Sequence, residues 1–181
     1  PFVAVVSDGY QFTQTVSSPE IVGYAPDQAT VSITEPITQN YDMDVTYLPL
    51  SDTPYQLVHK LQDLTGGGYT VADTEQRTGE TGSQTTIGDG DVKTYEGYNL
   101  ISNLQNVNQE IAADGTTVVE LLYDRQIHFV LFETASGTYI EPQVGLYGAA
   151  VTAPADPTRT GYTFAGWDTP IPATIGSTDV T

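Results

Sequence analysis

The chain has 181 residues, with 23 Asp and Glu against five Lys and Arg, two His and no Cys, for a formal charge of −18. A field of that sign repels nucleic acid and anionic lipid. The lack of cysteine excludes disulfides and thiolate metal sites, so sheet pairing and apolar packing must hold the fold.

No run reaches the ~18 apolar residues of a membrane helix, and no basic segment ahead of an apolar core opens the chain. Val, Ile, Thr and Tyr are abundant and Gly and Pro punctuate at short intervals, which predicts a mainly β fold. Residues 2–6 read as a strand, Ser7-Asp8-Gly9 as a turn, and residues 10–16 alternate with the period of a half-buried strand. Further strands are predicted over 24–33 and 44–48, with Pro19, Pro26 and Pro36 limiting where a central strand can run. The proline-bracketed stretch 48–54 is the clearest boundary, separating a first module, 1–50, from a second, 51–126.

In that second module a strand over 55–62 turns through Thr65-Gly66-Gly67-Gly68 and returns over 69–75. The Gly-rich turn lacks the helix N-terminus and lysine of a phosphate loop, so a hairpin is the better reading. Residues 78–91, with Gly79, Gly82, Gly88 and Gly90, read as a polar surface loop. Strands over 98–104, 107–112 and 116–123, with a turn at Asp114-Gly115, complete the module. Hardly any linker precedes the third module, 127–181. There a hairpin is predicted over 127–133 and 139–144 around Ser136-Gly137, then a short helical turn over 146–151 ended by Pro154 and Pro157, then a compact aromatic strand over 161–167.

A Gly-Tyr step marks each module, at Gly23-Tyr24, Gly97-Tyr98 and Gly161-Tyr162. Val45 stands as far beyond Gly23 as Val119 does beyond Gly97, and Asp44-Val45-Thr46 is repeated as Asp179-Val180-Thr181. Small modules of this kind bury too little surface to be very stable alone and gain from neighbours, so an elongated tandem array is expected. The chain opens on strand-like Pro1-Phe2-Val3 and closes within the third module's last strand, which reads as an excised middle of a longer protein. The repeated tyrosines, with Phe164 and Trp167, are expected to be core, and Tyr10, Tyr69 and Tyr139 exposed near hairpins.

The run Pro154-Ala155-Asp156-Pro157-Thr158-Arg159-Thr160-Gly161-Tyr162-Thr163-Phe164-Ala165-Gly166-Trp167 closely resembles the core motif of internalin-type B repeats of large bacterial surface proteins. With its lead-in over 127–144 the resemblance covers residues 127–181. Residues 55–125 resemble the longer repeats that accompany them, through Tyr55-Gln56-Leu57-Val58-His59, Thr78-Gly79-Glu80-Thr81-Gly82 and Tyr123-Asp124-Arg125. Residues 1–50 are similar to mucin-binding-protein repeats through Val22-Gly23-Tyr24-Ala25-Pro26-Asp27 and Val45-Thr46-Tyr47, although they lack the usual long Asp-Gly hairpin with its lysines. These resemblances imply β-grasp-like, ubiquitin-like α+β modules strung along a cell-wall-anchored adhesin of a Gram-positive-type bacterium. They imply host mucin or glycan, or another extracellular ligand, as partner of a monomeric chain. The alternative is a purely structural spacer or an accessory module of a surface carbohydrate-active enzyme.

Catalysis needs convergent polar groups with a tuned nucleophile or base, and the chain offers few; it is expected not to be an enzyme and to carry no cofactor. His59 and His128 each lie beside an opening strand's apolar residues, and a metal site would need further ligands. Asp89 and Asp91 sit on a Gly-rich loop of the kind that can hold calcium, but the spacing fails the EF-hand pattern, so a solvated loop is favoured, and Asp42 and Asp44 are discounted as ligands in the same way. Lys60 and Lys93 would form an amide crosslink only if buried in contact with an asparagine and an acid.

Overall fold

The computed structural model describes residues 13–33 and 42–181. The strand expected over 2–6, the turn at Ser7-Asp8-Gly9, Tyr10 and Pro36 lie outside the described residues. Within them the chain is mainly β, with ten strands and a single helical stretch, the 3-10 turn Asp89–Asp91. The α component expected of α+β modules has no counterpart among the described residues. The chain forms two compact units interleaved in sequence: Pro1–Gln56, Gln76–Thr85 and Gln109–Val118 make one, and Leu57–Glu75, Thr86–Asn108 and Val119–Thr181 the other.

In the first unit, β1 (Gln14–Ser17) pairs antiparallel with β3 (Thr30–Ile33), Gln14 opposite Ile33, and β2 (Tyr24–Pro26) pairs antiparallel with β4 (Tyr47–Pro49), Tyr24 opposite Pro49. The buried set is small and partly polar: Tyr55 and Ile111 with Thr53, Thr81, Thr85 and Thr117. Buried hydroxyls must be paired, and they are. The Thr53 and Thr81 hydroxyls lie 2.6 Å apart, and Thr117 Oγ1 accepts from the Ala112 amide and donates to the Glu110 carbonyl. Residues 78–91 are therefore not a simple surface loop, because Thr81, Thr85 and Ile87 are buried and Gln84 bridges Glu110.

Three further strands, β5 (Thr53–Gln62), β6 (Tyr69–Gly79) and β8 (Val118–Arg125), join β7 (Tyr98–Leu100) in a four-stranded sheet of order β6-β5-β8-β7. Its core within the second unit comes from alternation on β8, where Val119, Leu121 and Tyr123 are buried, and from Leu57, Val58 and His59 on β5. Side chains two apart on a strand share a face. The Thr65–Gly68 segment is the predicted hairpin turn, with the Asp63 amide donating to the Gly68 carbonyl at 2.9 Å and positive φ at Gly66 and Gly67.

The same unit holds β9 (Ile127–Val130) antiparallel to β10 (Gln143–Leu146). Val130, Phe132 and Ile175 form a second core, with Trp167, Ile171 and Val180 packed against it. Two sequence expectations fail here. Residues 146–151 form no helical turn; the Ala149 amide closes a tight turn on the Leu146 carbonyl, with φ of +85° at Gly148, before Ala150 bridges Thr174. Residues 161–167 form no strand, because beyond the Arg159–Tyr162 bridge the segment is fixed by rings: Trp167 lies against Phe132 at 5.6 Å and Phe164 at 5.3 Å. Its high β-propensity reflects aromatic packing, which needs no ladder.

Candidate functional site

Each repeated Gly-Tyr step closes a four-residue turn. The Tyr24 amide donates to the Ile21 carbonyl at 3.0 Å, Tyr98 to Tyr95 at 3.1 Å, and Tyr162 to Arg159 at 3.0 Å. The glycines have φ of +78°, +77° and +80°. A third turn residue with that φ is the signature of type II geometry and calls for glycine. In the first two cases the strand after the turn pairs with the closing strand, β2 with β4 and β7 with β8. The Gly23 carbonyl then accepts from the Leu50 amide, and the Gly97 carbonyl from Gln126, both at 2.8 Å.

The tyrosines themselves are not core, which corrects the expectation of buried anchors. Tyr24 and Tyr98 are half-buried and Tyr162 is 68% exposed. Each follows its turn directly, where the ring can face solvent, and two of them are covered on one face by arginine. The Arg125 guanidinium stands 5.0 Å over Tyr98 and that of Arg159 stands 4.2 Å over Tyr162. Of the tyrosines expected to be exposed, Tyr139 is, while Tyr69 is half-buried and donates to Asp124.

The densest polar cluster surrounds His59, which is fully buried. Its Nδ1 lies 3.0 Å from the Tyr123 hydroxyl, and Nε2 faces Glu75 at 3.6 Å, too long for a hydrogen bond. Tyr123 Oη also accepts from the Lys93 amide, Lys93 Nζ pairs with Glu75 at 2.9 Å, and Tyr95 donates to Asp73 at 2.6 Å. Burial, and then the Lys93 charge, hold the His59 pKa below its ordinary value. Glu75 raises that of Lys93, the bond from Tyr95 lowers that of Asp73, and burial raises those of Tyr95 and Tyr123. At neutral pH the cluster thus holds neutral His59, the Lys93 ammonium, the Asp73 carboxylate and un-ionised Tyr95 and Tyr123. The buried imidazole ties β5 to β8 through the Tyr123 hydroxyl and faces Glu75 of β6 without a hydrogen bond.

His128 is half-buried, with Nδ1 2.9 Å from Asp179 and Nε2 3.2 Å from Gln126. The Asp91 carboxylate accepts from the Gly88 amide at 2.8 Å and so closes its own turn beside Asp89, and no group of three metal-ligating side chains forms among the described residues. Lys60 pairs with Glu120 and Lys93 with Glu75 and Asp73, and the hydrogen bond to Glu75 raises the Lys93 pKa, which favours its ammonium form.

Sequence reasoning missed the partners of His59. Asp73 and Glu75, two apart and half-buried on β6, were the available signal. It also passed over Arg159, the one basic residue of the aromatic motif. Arg159 and Tyr162 border an open cavity of about 170 Å³ with Thr134, Ala135, Pro157 and Phe164.

Among the described residues no helix is long and apolar enough to cross a membrane. No curated protein and no solved structure matches the chain. Residues 128–174, which carry β9, β10, the aromatic motif and most of the second core, match the family model of the Listeria-Bacteroides repeat domain, a bacterial surface repeat.

Proposed function

We propose that this chain is a non-catalytic repeat region of an extracellular bacterial adhesin, acting as a stalk and holding host mucin or glycans. The observation that carries this reading is the surface-repeat match over residues 128–174. The recurring Gly-Tyr turn supports it, because two of the three turns lead into the same strand pairing. The burial of His59 supports it too, since an imidazole with no exposed surface is out of reach of a substrate. The three-module division at 50 and 126, a β-grasp outline for each module, their tandem arrangement, wall anchoring by other parts of the protein, and a monomeric chain belong to the same proposal.

Weak single contacts gain avidity when tethered, by factors of ~10² or more where geometry allows. Retention on a mucin-coated surface should therefore be far longer for a tetravalent presentation of the chain than for the single chain. Equal, background-level retention of both would favour the second reading, a spacer or an accessory module of a carbohydrate-active enzyme.

A further inference from the structure

We propose that the pocket formed by Arg159, Tyr162 and Phe164 binds a carboxylate-bearing pyranose, the terminal unit of an acidic glycan. The proposal rests on the glycan reading above and gives it a place and a ligand class.

The chain has five basic residues against 23 acids. Lys60 and Lys93 are paired with carboxylates, Arg77 is half-buried on β6 with interactions of its own, and Arg125 is half-buried and donates to the carbonyls of Gln62 and Tyr147. Arg159 differs: it is exposed, and no Asp or Glu lines its cavity. In a molecule that otherwise repels anions, this is a place where one can settle.

The guanidinium is fixed before any ligand arrives. Its Nη1 donates to the Ala135 carbonyl at 2.9 Å, and its Cζ stands 4.2 Å over the Tyr162 ring. The Ala135 carbonyl belongs to a turn closed by the Gly137 amide on Thr134, in which Ala135 and Ser136 take φ of +47° and +69°. Two successive non-glycine residues in the left-handed region are strained and persist where surrounding contacts demand them. Here the surroundings are visible. The Thr138 amide donates to the Thr158 carbonyl at 2.9 Å, and the Thr158 amide to Thr138 Oγ1 at 3.1 Å, tying the turn to the residue before Arg159.

With Nη1 engaged, the edge formed by Nε and Nη2 carries no protein partner among the described residues. That fork matches a carboxylate through two parallel bonds. One face of Tyr162 is covered by arginine, so its 68% exposure comes from the other face and the edges, which suit the C–H face of a sugar ring. A cavity of about 170 Å³ is well below the ~300–1,000 Å³ that encloses drug-sized ligands, which fits one sugar unit and not an extended chain.

The test is a titration of the isotope-labelled chain, followed by the amide and Arg Nε signals of residues 159–164, with methyl glucuronide, a methyl sialoside and neutral methyl glucoside. Ligand is taken to ~20 mM, a range that reaches the weak affinity of one shallow subsite. Saturable shifts with either acidic sugar, at least ~10-fold tighter than with the glucoside, are expected from a charge-assisted fork, and the two acidic arms separate a uronic from a sialic ligand. Arg159→Gln should remove that preference and Tyr162→Ala should weaken all binding. If Arg159→Gln fails to fold, Arg159→Lys, which keeps the charge and loses the fork, should bind the acidic sugars several-fold more weakly. Equal binding of the neutral sugar, no shift with any sugar, or full binding by an arginine variant would overturn the proposal. Retention of the tetravalent chain on mucin without pocket shifts would leave the adhesive reading standing and this site refuted. Pocket shifts without mucin retention would do the reverse.

Discussion

At the residue scale, three glycines with one backbone conformation stand in different surroundings. Gly23 and Gly97 are buried and Gly161 is exposed. A Cβ on Gly23 would lie 2.7 Å from Ala113 Cβ and 2.8 Å from its Cα, one on Gly97 would fall on the Tyr147 ring, and one on Gly161 would meet nothing within 4 Å. Gly161→Ala should therefore cost only the backbone strain, about 1–2 kcal/mol. Gly23→Ala and Gly97→Ala should exceed it, by ~1–3 kcal/mol each for overpacking. Chemical denaturation of the three variants checks the order, and equal losses would show that packing around the turns is irrelevant. The turn was legible in sequence because glycine before a strand has few other uses. The exposure of the tyrosine was not, since it depends on which side of the turn meets protein.

His59 supplies a pH prediction at the same scale. Its folded pKa lies below the reference of 6.5, in contact with Tyr123 and facing Glu75, Asp73, Lys93 and Tyr95. The unfolded chain then binds the proton more readily, so stability rises with pH across this window and is lost as pH falls below 6.5 toward the folded value. Asp73, Asp114 and Asp179 are lowered by hydrogen bonds from Tyr95, Thr116 and His128 respectively, so a second loss sets in below 3.8. Melting temperature against pH should show both falls in the parent and only the lower one in His59→Phe. A parent curve flat between pH 7 and 5 would refute the buried neutral imidazole.

At the element scale, β5 and β8 carry the sheet. Leu121 and Val119 have no exposed surface, so Leu121→Ala should cost about 2–5 kcal/mol. Breaking the Lys60–Glu120 pair, whose side chains are 25% and 44% exposed, should cost at most about 1 kcal/mol. Thermal or urea denaturation of Leu121→Ala and Lys60→Ala checks the contrast, and a Lys60 effect as large as that of Leu121 would overturn this division of labour. These strands could be read in advance because alternation on β8 and the Gly-rich turn after β5 are local signals. The His59 cluster could not. It depends on β6 and β8 flanking β5, and a single sequence does not disclose which strands are neighbours. The 161–167 segment misled for the opposite reason: its composition speaks for a strand, while Trp167 and Phe164 spend their surface on ring packing.

At the scale of the whole molecule, a charge of −18 governs behaviour in solution. Self-repulsion weakens the compact state and is screened over ~10 Å at 0.1 M salt, so moderate salt should raise the melting temperature above its low-salt value. The same field explains why a cavity without carboxylates, beside a fixed arginine, stands out as a place for an acidic ligand. The surface-repeat match over residues 128–174 supports the proposed work at a cell surface, and Arg159 and Tyr162, the exposed members of the aromatic motif, mark the proposed ligand site. The most direct measurement of the central claim is a glycan array probed with tetravalent chain, with the single chain alongside. The account predicts tetravalent binding confined to mucin-type glycans, strongest for those with acidic termini, and near-background signal for the single chain; uniform background for both would contradict it.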